Sequence, residues 1–133
     1  MPRAAVVKLV VSCLLLTACG DTGARADAAA TTAQHLLSAV RDGDGAAACA
    51  MLAPDTVDEV ARSAGQPCPD AITGEDLPGP GSVDHVRVDG QWAQVTLSDD
   101  TVFLARFPGG WRVVAAGCRA HGERPYQCSV KGG

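Results

Sequence analysis

The sequence predicts an α+β fold: N-terminal helices packed on a curved antiparallel sheet of about four strands. Three observations carry this. Apolar residues recur every three or four positions up to Ala64 and every second position from Val83. A connector rich in proline and glycine, Leu77-Pro-Gly-Pro-Gly-Ser82, separates the two regimes. All five aromatic residues (Trp92, Phe103, Phe107, Trp111 and Tyr126) lie in the second regime, whereas the first is built from Ala, Leu and Val. An aromatic sheet face covered by small-residue helices is an economical two-layer arrangement.

Residues 1–18 have the layout of a secretory signal. Arg3 and Lys8 flank the start of the apolar run Leu9-Val-Val-Ser-Cys-Leu-Leu-Leu16, and small residues close it. A membrane-spanning helix needs about 20 apolar residues, so this run is too short to stay in a bilayer. The four residues Leu16-Thr17-Ala18-Cys19 resemble the lipobox of bacterial lipoproteins. That resemblance implies a diacylglycerol on the sulfur of Cys19, cleavage between Ala18 and Cys19, and a new amino end open to acylation. Two or three acyl chains hold a protein stably on a membrane, at ~0.8 kcal/mol per buried CH₂. The expected location is the cell membrane, lipid-anchored and facing outside the cytoplasm. Residues 19–32, small and polar, read as the lipidated cysteine and a flexible tether, and 33–133 as a single α+β domain.

Helical spacing is already legible from residue 27 to 42, with Ala29, Ala33, Leu36, Leu37 and Val40 on one face. Asp42-Gly-Asp-Gly45 breaks the helix. A calcium loop would require further oxygen ligands, but Ala46-Ala-Ala48 follows, so Asp44 is expected to cap a restarted helix instead. That helix carries Cys49, Met51 and Leu52 and stops at Pro54. Thr56-x-x-Glu59 has the form of a capping box, opening a helix with Val57, Val60, Ala61 and Ala64 inward and Gly65 as its stop. Cys68-Pro-Asp-Ala-Ile72 adds one turn.

In the second regime, Asp89-Gly90 predicts a hairpin pairing Val86 with Ala93 and Val88 with Gln91. Val86, Val88, Ala93, Val95 and Leu97 then share a dry face, and His85, Arg87, Trp92, Gln94 and Thr96 the other. A second pair, Val102–Phe107 and Trp111–Ala116, follows. A three-residue loop Pro108-Gly-Gly110 would gather Phe103, Ala105, Phe107, Trp111, Val113 and Ala115 on one face, with Arg106 opposite Arg112.

Loss of residues 1–18 would leave 115 residues, nine basic and 15 acidic. So acidic a chain has no electrostatic footprint for nucleic acid. The charge is uneven: residues 19–100 hold four basic and 14 acidic groups, residues 101–133 five basic and one acidic. Such polarity suits docking to a partner or to anionic lipid heads. Four cysteines are left once Cys13 departs and Cys19 is lipidated. An even count in an exported chain predicts two disulfides, with three connectivities open. Cys49–Cys68 and Cys118–Cys128 are favoured, because each pair brackets a turn-rich stretch. No Cys-x₂₋₄-Cys spacing suggests zinc, and no metal or cofactor is expected.

No catalytic constellation is legible. Asp84 and His85 are strand neighbours whose side chains point to opposite faces. His35 and His121 are isolated, and no serine sits in a Gly-x-Ser-x-Gly setting. The polar cluster with chemical potential is Arg106 with Arg112, which side by side would hold a carboxylate or phosphate of a ligand or partner.

The stretches "AVRDGDGAAACAMLAPDT" (39–56), "VDGQWAQVTL" (88–97), "FLARFPGGWRVVAAGC" (103–118) and "PYQC" (125–128) resemble small secreted lipoproteins of high-GC Gram-positive bacteria. Many of these look like the nuclear-transport-factor-2-like superfamily, in which helices fill the concave side of a bent sheet to make a cone. The "GD" after the first helix and "GGWRV" before a late strand fit that pattern. The resemblance implies a membrane-anchored binding or accessory module engaging an envelope protein or a small ligand. The alternative it implies is a small hydrolase or isomerase with its site inside the cone, although none of its catalytic residues maps onto this chain.

Overall fold

The computed structural model describes residues 21–133; the expected signal, the cleavage point and Cys19 lie outside the described residues. Four helices precede five strands: α1 (Asp21–Arg41), α2 (Gly45–Ala50), α3 (Pro54–Ala64), α4 (Cys68–Ile72), then β1 (Val83–Asp89), β2 (Trp92–Leu97), β3 (Thr101–Phe107), β4 (Gly110–His121) and β5 (Arg124–Lys131). The strands form one antiparallel meander in the order β1-β2-β3-β4-β5.

The first helix is longer than its composition suggests. Residues 21–32, expected as a tether, are helical, and Ala29 and Ala33 are fully buried with Leu36 and Leu37. Alanine has the highest helix propensity and no side chain beyond Cβ, so α1 forms readily and lies close to the sheet. Asp44 caps α2 as expected, its Oδ1 accepting the amide of Ala47 at 3.0 Å.

The capping box at Thr56 does not form. Proline at the first position of α3 starts that helix three residues earlier, with Ala53 as N-cap. Thr56 therefore sits inside the first turn, buried, and donates its hydroxyl to the Val114 carbonyl at 3.0 Å. Gly65, at φ 66°, ends α3 in the left-handed conformation. Between α2 and α3 the chain runs along β4: the Ala53 amide donates to Val113 O and the Val113 amide to Met51 O, both at 2.8 Å. This short strap continues the row of the sheet where β5 has ended.

Both disulfides join the expected partners, Cys49 to Cys68 and Cys118 to Cys128. The first ties α2 to α4. The second spans directly opposed residues of β4 and β5. That fifth strand was read only as a disulfide loop. Its sequence, Arg-Pro-Tyr-Gln-Cys-Ser-Val-Lys, buries Val130 alone, so the hydrophobic alternation that announces a strand is missing.

The strand registers differ from expectation. In the β1–β2 hairpin Asp89 pairs with Trp92 and Val88 with Ala93, so the turn is Gly90-Gln91. The shift of two residues leaves each side chain on its expected face. The β3–β4 hairpin changes more. Its loop is Pro108-Gly109, Phe107 pairs with Gly110, and Arg106 faces Trp111, with Ala105 opposite Arg112. Register shifts on either side of Phe103 then break strict alternation in β4, which carries the extra residues. Val102, Leu104, Trp111, Val113 and Ala116 consequently point to the helices, and Phe103, Ala105 and Phe107 lie on the other face.

The core is thus mostly aliphatic. Leu36, Leu37, Ile72, Val95, Val102, Leu104, Val113 and Val130 fill the space between helices and sheet with essentially no exposure. Aromatic residues other than Trp111 line the outer face; for Phe103 and Phe107 this reverses the expected arrangement, while Trp92 lies on the face expected of it. Close approach of alanine-rich helices leaves room for branched aliphatic groups, not for rings.

A second irregularity in β4 is held by an acid. Gly117 adopts φ 63°, and its amide donates to Asp100 Oδ2 at 3.0 Å, while the amides of Cys118 and Thr101 donate to Oδ1 at 2.9 and 2.7 Å. Burial pushes the Asp100 carboxyl above its usual range, although these three hydrogen bonds pull the other way.

Candidate functional site

The meander places the β1–β2 and β3–β4 turns at one end of the sheet, where the N-terminal half of α1 also arrives. The Pro108-Gly109 turn needs the backbone freedom of glycine: Gly109 and Gly110 take φ 98° and 127°. That tight turn delivers Arg106 directly across the ladder from Trp111. The Arg106 guanidinium lies 5.7 Å from the centre of the Trp111 ring, and that of Arg25, from α1, lies 5.8 Å from it. Trp111, only 7% exposed, therefore has two cations within 6 Å of its ring centre.

Backbone carbonyls orient this group. Arg25 donates through Nη2 to the Gly90 carbonyl, and Arg112 through Nη1 to the Ala50 carbonyl at the end of α2. Arg25 Nε is buried and has no hydrogen-bond partner. All three arginines line a cleft of about 470 Å³, with Trp111, Met51 and Thr32 among its walls. Among the described residues, ion pairs join Arg41 to Asp42 and Arg62 to Glu59, and neither involves this cleft.

Chemically, the cleft has the donors to hold an anion. A guanidinium presents a planar fork of donors that matches carboxylate or phosphate oxygens in pairs. Three such groups brought together repel one another, and an anion between them would relieve the repulsion and satisfy the spare donor of Arg25.

Arg106 and Arg112 were expected as cross-strand partners; instead Arg106 faces Trp111 and Arg112 faces Ala105, while both line one cleft. Arg25 was missed, since it falls in the stretch read as a tether. Its signal was nevertheless present, because it lies four residues before Ala29, on the same helical stripe as Ala33 and Leu36. The other candidates stay apart. His35, His85 and His121 are exposed on α1, β1 and the end of β4, and no group of metal-binding side chains occurs among the described residues.

On the outer face, Trp92 is 61% exposed, and Phe103 meets Tyr126 edge-on with centroids 5.1 Å apart. Trp92 sits opposite Ala105, close to the same turns that frame the arginine cleft. No described helix is long and apolar enough to cross a membrane. Comparisons with protein-family models, curated proteins and solved structures found no match for this chain.

Proposed function

We propose that the chain is a lipid-anchored module outside the cytoplasm that binds an anionic ligand or partner in the Arg25–Arg106–Arg112 cleft. The observation that carries the binding role is three guanidinium groups lining one cleft beside Trp111 with no acidic partner among the described residues. In an acidic chain, arginines gathered without carboxylates call for a charge from elsewhere. The anchoring role rests on Leu16-Thr17-Ala18-Cys19, together with two disulfides, which persist in oxidising compartments outside the cytoplasm. Helices set on an antiparallel sheet are in keeping with the sequence resemblance to nuclear-transport-factor-2-like lipoproteins. The interior where that superfamily keeps enzymatic sites is filled here by Leu36, Leu37, Leu104 and Val113, which favours the binding role over catalysis.

Two measurements test the two halves. A metabolic lipid precursor should label the wild type and spare Cys19→Ser; equal labelling would end the lipoprotein assignment. Calorimetric titration with inorganic phosphate and with citrate should show binding that weakens at least tenfold in Arg106→Ala. Unchanged binding would reduce the arginines to surface charge.

A further inference from the structure

We infer that the anion this cleft takes is the headgroup phosphate of the anionic phospholipid bilayer in which the chain is anchored, so that the arginine end of the sheet lies down on the membrane. This rests on the reading of Cys19 as the lipidated residue and of the cleft as an anion receptor. The first argument is one of reach. Helix α1 begins at Asp21, so Asp21 to Arg25 spans about 6 Å at 1.5 Å per residue. The two residues before it add at most ~7 Å. Arg25 is thus confined within ~13 Å of the sulfur-bearing residue, about two headgroup-layer depths and under two screening lengths of ~8 Å in physiological salt. A site so placed meets headgroup phosphates before it meets any solute.

The second argument is the company the cleft keeps. Trp92, the most exposed large apolar side chain described, stands at the same end, beside the Gly90-Gln91 turn whose carbonyl holds Arg25. Tryptophan favours the water–lipid boundary, where its ring is buried and its N–H remains hydrated. An exposed tryptophan on the outer face and an arginine cleft on the helix face, both at one end of the sheet, suit an end that rests on anionic lipid. The filled interior and the tight hairpin turns make this end rigid, so a single lipid attachment and one arginine cleft fix the orientation of the whole domain.

The test uses the mature chain carrying Cys19→Ser, so that only the protein surface can bind. It is sedimented with vesicles of phosphatidylcholine alone or containing phosphatidylglycerol at about three lipids in ten. Binding is expected only to the anionic vesicles, falling about fivefold in each of Arg25→Ala and Arg106→Ala and also in Trp92→Ala. Arg119→Ala, near the opposite end of the sheet, should bind as the parent does, and Arg106→Lys should retain most of the affinity while confirming that the fold tolerates change there. Equal binding to both vesicle types, or binding to anionic vesicles that Arg25→Ala and Arg106→Ala leave intact, overturns the inference. Binding of inorganic phosphate without binding to vesicles also overturns it, but leaves the anion-receptor reading standing with a soluble ligand. Failure with both phosphate and vesicles removes both readings.

Discussion

The carboxylate of Asp100 accepts the amide of Cys118 at 2.9 Å, so that an acid at the β2–β3 turn fixes the backbone of a disulfide cysteine on β4. The same carboxylate takes the amides of Gly117 and Thr101. Three donors converge on two oxygens at the point where β4 departs from regular pleating.

Replacing Asp100 with Asn should therefore be costly despite equal size. The asparagine oxygen can serve two of the amides, but its NH₂ would confront the third, a donor facing a donor. A loss of about 1–3 kcal/mol is expected, read from urea unfolding at neutral pH. A variant as stable as the parent would show that water replaces the carboxylate without penalty.

A pH signature accompanies this. Burial raises the folded-state pKa of Asp100 above its unfolded value. A group raised in this way contributes stability that is fully present below the unfolded pKa and is lost as pH rises through the folded pKa. The stability advantage of the parent over Asp100→Asn should accordingly widen as the pH falls through the carboxylate range. Paired urea titrations at pH 3 and pH 7 measure it, and a gap that narrows on acidification contradicts the assignment.

Gly45 is required by packing rather than by backbone angle. A Cβ there would lie 1.9 Å from the Pro69 carbonyl oxygen, because the Cys49–Cys68 bridge draws α2 against α4. Gly45→Ala should destabilise by about 1–3 kcal/mol, although alanine is the better helix former. Gly23→Ala in α1, where the added methyl meets nothing within 4 Å, should instead be neutral or stabilise by up to about 1 kcal/mol. Thermal unfolding of the two variants side by side separates packing from propensity.

The disulfides should differ in weight. Cys49 and Cys68 are 19 positions apart and join two helices, whereas Cys118 and Cys128 are 10 apart on paired strands whose backbone ladder already holds them together. The double substitution Cys49→Ser with Cys68→Ser should cost about 3 kcal/mol, and the Cys118/Cys128 pair less, in the chain-entropy account. Chemical unfolding of each double variant checks the order, and non-reducing peptide mapping should recover Cys49 joined to Cys68.

Much of the fold was legible. The stripe Ala29, Ala33, Leu36, Leu37 reads as a buried helix face, and the parity of Val86, Ala93, Val95 and Leu97 as a dry sheet face, because each pattern has one apolar side. In β3 that logic fails. Val102 and Leu104 on one side and Phe103, Ala105 and Phe107 on the other are all apolar, so a one-residue slip produces no visible contradiction.

By itself, then, the sequence determined the change of period at Val83, the helix stops at Asp42 and Gly65, and four cysteines whose two flanked stretches matched the bridges that form. These are local matters, set by side-chain spacing and turn chemistry over a few residues. Only the tertiary structure decided that Phe103 and Phe107 face outward while Trp111 faces the helices, that β5 completes the sheet, and that Arg25 joins Arg106 and Arg112 in one cleft with Trp111. Each of those outcomes depends on bulges in β4 and on how closely an alanine-rich helix approaches the sheet. Both are settled by packing between residues far apart in the chain, and no window of neighbouring residues carries that information.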